Sequence, residues 1–150
     1  MLQTVMVRLI RISGFGLASY FEPVFREIGI SERAFHALCL LVASEHGRAA
    51  PSELSELVGT TRANMTQILD ELLRDKLVSR TPHPRDGRRY DISINAAGRK
   101  RVREVVPQII EPLKDGFSLL DAEEFALLDR LLRKLIISLD KSSRAISRAA

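Results

Sequence analysis

The chain has 150 residues, 45% of them apolar and 28% charged, with a formal net charge of +4. That length accommodates one domain with a real core, and that balance excludes wholesale disorder. No apolar run approaches the roughly 18–20 residues a membrane span needs; Arg8 and Arg11 also break the apolar N-terminal stretch that a signal peptide would keep clean, so the chain is expected to be cytoplasmic, with no membrane partner.

Residues 4–28 read as a helix with an apolar face through Val5, Leu9, Ile12, Leu17, Phe21 and Phe25, and Pro23 is expected to kink or interrupt it. Ser31 is an N-cap for a second helix running to about Glu45, with His46-Gly47 as its stop. Pro51-Ser52 opens a short helix closed by Gly59, and Thr60-Thr61 caps another that continues to about Leu77. The apolar residues of this fourth helix, Met65, Ile68, Leu69, Leu72 and Leu73, fall on one stripe.

After Leu77 the period changes. Residues 78–81 are strand-like, and Tyr90, Ile92 and Ile94 alternate with Asp91 and Ser93, giving a half-buried strand over 90–95. Between them lies a basic segment whose Asp86-Gly87 dipeptide suits a tight reversal. Asn95 caps a long helix over about 96–115, interrupted or bent near Pro107 and Pro112. Asp121 and Glu124 form a capping-box pair, and the last helix is expected from Ala122 to Lys141, followed by a frayed tail.

The positive charge is concentrated. From Arg74 to Arg103 there are ten Lys or Arg against three acids, a net of +7, while the other 120 residues sum to −3. Such a block suits a polyanion, although an unevenly charged solvated surface would look the same by composition. One cysteine, Cys39, excludes an internal disulfide, and His36, His46 and His83 lack metal-ligand spacing. There is no Gly-rich phosphate loop or nucleophile elbow, so no enzyme, metal or cofactor is expected.

The order of elements gives a mainly α chain with a small β-wing, a winged helix-turn-helix. The second helix of such a motif presents its N-terminal residues to the major groove, which needs an apolar back and a polar front. Thr61, Arg62, Ala63, Asn64, Thr66, Gln67 and Arg74 supply that front, the amide suited to adenine and the arginines to guanine or phosphate. Asp70 and Glu71 share the front and are expected clear of the groove or paired with an arginine. Arg85, Asp86, Arg88 and Arg89 surround a projecting turn suited to a minor groove, with Asp86 expected to hold a neighbouring guanidinium. For the helix alone, an ordinary amphipathic segment is the better reading. A basic wing three residues beyond it favours double-stranded DNA.

The stretch VSRTPHPRDGRRYDISINAAGR resembles the wing signature of the MarR family of winged-helix regulators, with Asp86 and Arg88 as its Asp-x-Arg pair and Ala97-Gly98 opening the next helix. TTRANMTQILDELLRDKLVSR is similar to that family's recognition helix and its exit into the wing. Gln67 stands where the family often has a basic residue, and Lys76 where it normally has glycine. The resemblance implies a sequence-specific DNA-binding regulator, a repressor released by a small phenolic-acid-like effector.

Within the single chain of 1–150, residues 31–95 are the expected DNA-binding part, and 1–30 with 96–150 the dimerisation helices. Twelve of the twenty-three residues from Phe117 to Leu139 are large and apolar, more than one small winged helix can cover, and the first helix has a similar surplus. A twofold dimer implies a pseudo-palindromic operator. Arg8 and Arg11 share a helical face, and the resemblance implies an effector pocket formed by them with Phe35 and His36; the plainer reading is that the arginines are solvated surface or pair with acids such as Glu104 or Glu111. Other readings are thiol-oxidation sensing through Cys39, whose plainer role is a small buried hydrophobe, and architectural DNA binding without sequence preference.

Overall fold

The computed structural model describes residues 1–83 and 85–139, which comprise six helices and a three-stranded antiparallel sheet. The order is α1 (Leu2–Ile28), α2 (Glu32–Ala43), β1 (Arg48–Ala49), α3 (Pro51–Val58), α4 (Arg62–Arg74), β2 (Val78–His83), β3 (Asp86–Ile94), α5 (Ala96–Gly116) and α6 (Ala122–Leu139). The chain divides into two compact units, the first spanning Met1–Pro112 and the second beginning at Leu113.

The winged helix closes on residues that the periodicity exposes. Ala34, Phe35, Ala37, Leu38 and Leu41 of α2 meet Leu54 of α3 and Met65, Ile68, Leu69 and Leu72 of α4 in one buried cluster. Each leucine so buried contributes about 1.5–3 kcal/mol relative to exposure. Val78, Ile92 and Ile94 cover the cluster from the sheet, Val105 and Ile109 from α5, and Phe21 and Phe25 from the end of α1. Sheet order is β1-β3-β2, so β2 is an edge strand, where the missing N–H of Pro82 is tolerated.

Caps set the boundaries. The Ser31 hydroxyl accepts from Ala34 N at 3.1 Å, and Thr61 Oγ1 accepts from Asn64 N at 3.2 Å. Gly29 and Gly59, at φ 77° and 73°, end α1 and α3 in the left-handed region. At the end of α4 that position falls to Lys76, at φ 57°. Lys76 N donates to Leu73 O and Leu77 N to Leu72 O, the paired bonds of a Schellman ending that glycine would adopt without steric cost. The Asp121–Glu124 capping box forms as its spacing predicts, Asp121 Oδ1 accepting from Glu124 N at 2.9 Å and Glu124 Oε2 from Asp121 N at 3.0 Å.

Several boundaries differ from the sequence expectation. Pro23 lies within an uninterrupted α1, and Pro107 and Pro112 within α5. Phe21 and Phe25 flank Pro23, and Val105 and Ile109 flank Pro107; burying both members of each pair requires the helix to continue through the proline. α2 ends at Ala43 and α4 at Arg74, each earlier than expected. β1 is an additional two-residue strand, too short to show a period, paired through Arg48↔Ser93 and Ala49↔Ile92. β3 begins at Asp86, and the reversal lies between the paired residues His83 and Asp86, ahead of the Asp86-Gly87 dipeptide. Pro84, the expected helical end at Lys141 and the tail lie outside the described residues.

Candidate nucleic-acid interface

Met65, Ile68, Leu69 and Leu72 anchor α4 to the core, which fixes its opposite face outward. Thr61, Arg62, Ala63, Asn64, Thr66 and Gln67 are all exposed and lie together over the first two turns. Arg74 is not with them. It lies at the far end of the helix, about 15 Å from Asn64 at 1.5 Å per residue, and its Nε is 3.3 Å from Asp75 Oδ1.

The two acids on this helix are engaged. Asp70 Oδ1 lies 3.7 Å from Arg80 Nη2 on β2. The Glu71 carboxylate accepts from Ser31 N at 3.3 Å and from Ser31 Oγ at 3.1 Å, so it sits on the N-terminus of α2.

Arg85, Asp86, Arg88 and Arg89 are exposed at the outer end of the hairpin. Asp86 acts differently from the expectation that it holds a guanidinium. Its Oδ1 accepts from the backbone N–H of Arg88 at 3.0 Å, which shapes the start of β3 and leaves the Arg88 side chain outward. A groove of about 290 Å³ between the strands is lined by Arg80, Thr81, Pro82, Arg88, Arg89 and Tyr90. Arg80 was not singled out by sequence; the only signal was a basic residue early in the strand that leaves the recognition helix.

The base of the wing is clamped. Asn95 Oδ1 accepts from Gly98 N at 2.9 Å as the cap of α5, and Asn95 Nδ2 donates to Lys76 O at 2.8 Å. A Cβ on Gly98 would meet Leu77 O at 2.3 Å, so only glycine allows α5 this close to the turn leaving α4. Arg101 Nη2 donates to Ile28 O at 2.6 Å and Gly29 O at 3.2 Å, placing a cation on the C-terminus of α1.

The four residues expected to form an effector pocket do not come together within the chain. Phe35 is buried against Phe25, ring centroids 5.7 Å apart, while His36 is exposed. Arg8 and Arg11 lie on the same continuous helix as Phe25, about 25 Å and 21 Å along it at 1.5 Å per residue. Among the described residues neither arginine has an ion-pair partner, and Glu104 pairs with Lys100 at 3.7 Å. A cleft of about 750 Å³ lies elsewhere, bordered by Phe15, Phe25 and Arg26 of α1 and by Ile68, Glu71 and Arg74 of α4. Cys39 is half-buried against the core, and burial pushes its thiol pKa up, away from the thiolate that oxidation sensing uses. No group of His, Cys, Asp and Glu among the described residues could hold a metal, and no described helix is long and apolar enough to cross a membrane.

A model of the MarR family matches residues 30–90, the span from the start of α2 through most of the wing. The transcriptional repressor MprA of Escherichia coli K12 is 34% identical over 113 residues, covering 75% of this chain and 64% of MprA. The HTH-type transcriptional regulator PrsX of Escherichia coli is 30% identical over 115 residues, covering 77% of this chain and 69% of PrsX. Among solved structures, the Streptomyces coelicolor MarR family regulator Sco3205 in complex with DNA superposes with a TM-score of 0.82, covering 93% of this chain and 92% of that one at 20% identity.

Proposed function

The chain belongs to the MarR family, and from that premise we propose that it is a transcriptional regulator that binds double-stranded DNA sequence-specifically as a homodimer. Repression is the proposed outcome, in line with the repressor name of MprA. One observation carries this reading: six exposed, mostly hydrogen-bonding residues at the start of α4 and three arginines on the adjoining hairpin form one polar, basic surface on a core that needs none of them. The N-terminal half of α4 enters the major groove, where Gln67 and Asn64 read base edges. Arg88 enters the flanking minor groove, and Arg62, Arg85 and Arg89 meet phosphates.

Dimerisation uses 1–30 and 96–150. Supporting this, Leu9, Ile12 and Phe15 are exposed on α1, and α6 contains no buried residue despite Leu128, Leu131 and Leu132. The proposed site for a small effector moves from Arg8 and Arg11 to the cleft beside α4. A ligand there that competes with Glu71 for Ser31 acts on the recognition helix directly, and it shifts the DNA-binding equilibrium only if it favours one form.

Paired substitutions test the contacts. On a duplex selected from a random library, Arg88→Ala is expected to weaken binding on all sequences by about 1–3 kcal/mol. Gln67→Ala is expected to cost less and to relax preference at one base position. Uniform loss in both variants would remove Gln67 from the base-reading set.

A further inference from the structure

We infer that Arg80 is a positioning residue that fixes the wing relative to the recognition helix, and that Asp70 is present on the DNA-facing side of α4 to hold it. The inference rests on the DNA-binding reading above and assigns work to two residues that reading leaves unused. Asp70 shares a face with Gln67 and Ala63, three and seven residues before it, so it lies one turn beyond the proposed contact residues of α4 on the side that faces DNA. A carboxylate there repels phosphate and is unfavourable for DNA binding unless it has another task.

The geometry supplies that task. Asp70 Oδ1 is 3.7 Å from Arg80 Nη2, and the Arg80 guanidinium carbon lies 5.0 Å from the centroid of the Tyr90 ring. Tyr90 is on β3, two residues from Arg88, and its strand partner on β2 is Pro82. One guanidinium therefore ties α4 to both strands of the wing, by an ion pair with Asp70 on one side and a cation–π contact with Tyr90 on the other. The side chains of Arg80 and Asp70 are 54% and 62% exposed, so the ion pair adds little to folding stability. Its effect is orientational: it holds the groove-entering hairpin and the groove-entering helix at one angle, so that Gln67 and Arg88 engage the same duplex together.

Two substitutions separate this role from a direct phosphate contact. The probes are a duplex selected by the wild-type chain from a random library and a scrambled duplex of the same length. Asp70→Asn removes a negative charge from the DNA-facing side of α4, so electrostatics alone strengthens binding to both. Positioning predicts the opposite sign on the selected duplex, a loss of about two- to fivefold, with scrambled-duplex binding unchanged or stronger. Arg80→Ala is expected to lose tenfold or more on the selected duplex and less on the scrambled one, whereas a phosphate contact lowers both by one factor and reduces the salt slope by about one.

Hydrogen exchange on the free protein reads the same device without DNA. Amides of 88–92 are expected to exchange faster in both variants and at an intermediate rate in Arg80→Lys, which keeps the charge facing Asp70 but not the guanidinium over Tyr90. Unchanged exchange in both variants, or stronger selected-duplex binding by Asp70→Asn, overturns the inference on its own. Failure of the wild type to distinguish the two duplexes removes the proposed function, and with it the role given to Arg80.

Discussion

The winged helix and the terminal helices solve the burial problem differently. From α2 to β3, nearly every large apolar side chain finds a place inside: Leu38, Leu41, Leu54, Leu72 and Ile92 are fully buried, and the residues left outside are mostly polar or basic. α6 has the opposite character, with Leu131 51% and Leu139 72% exposed and no residue buried. The first two-thirds of α1 resembles α6, since its buried residues, Phe21 and Phe25, both lie near its C-terminal end. A core that closes leaves its outer surface free for charge and hydrogen bonding, as DNA contact requires. Helices that do not close by themselves carry apolar faces that are stable in water only against another surface. The proposed division of labour, DNA recognition in the first region and self-association in the second, rests on this contrast.

The strongest way to break the closed region is at Gly98. Gly98→Ala drives a methyl group against the backbone oxygen of Leu77 and against Ile94, and is expected to cost at least about 3 kcal/mol, read as a lowered urea midpoint. Breaking the other region leaves folding intact. Leu132→Glu is expected to weaken dimerisation by about 2–3 kcal/mol, by analogy with burying an unpaired charge, with little change in helical circular dichroism; sedimentation velocity reads the shift to monomer. A dimer of unchanged strength in this variant removes α6 from the interface. The smallest effect has the opposite sign. Lys76→Gly relieves a side chain held at φ 57° and is expected to stabilise the chain by about 0.5–1 kcal/mol, with DNA affinity unchanged.

Local chemistry made much of this legible. Ser31, Thr61, Asn95 and Asp121 cap the helices as their residue types suggest, and the α4 stripe identified both the buried side and its polar reverse. Where tertiary packing decides, the sequence misled. Proline at 23 and 107 suggests an interruption, but buried phenylalanines around the first and a valine and isoleucine around the second lie on one continuous helix in each case; Pro112 also lies inside α5, with no buried pair around it. The short strand β1 exists only because β3 offers it a partner.

The candidate site divides along the same line. The polar start of α4 and the wing arginines were visible as a cluster in the chain. The Asp70–Arg80–Tyr90 contact joins residues from three elements and has no periodic signature. Arg8 and Arg11 were grouped with Phe35 because both segments are apolar and helical, a pattern that carries no information about distance along α1. Asp86 was read by its charge, whereas it works through the backbone of Arg88.

Selection from a random duplex library with the full chain, followed by sedimentation of the complex on the recovered sequence, tests the central claim most directly. A twofold dimer carrying two recognition helices is expected to recover an inverted repeat with half-sites about one DNA turn, roughly 34–36 Å, apart, bound by two chains per duplex. Recovery of no repeat, with equal binding on all sequences, contradicts sequence-specific recognition and leaves architectural DNA binding in its place.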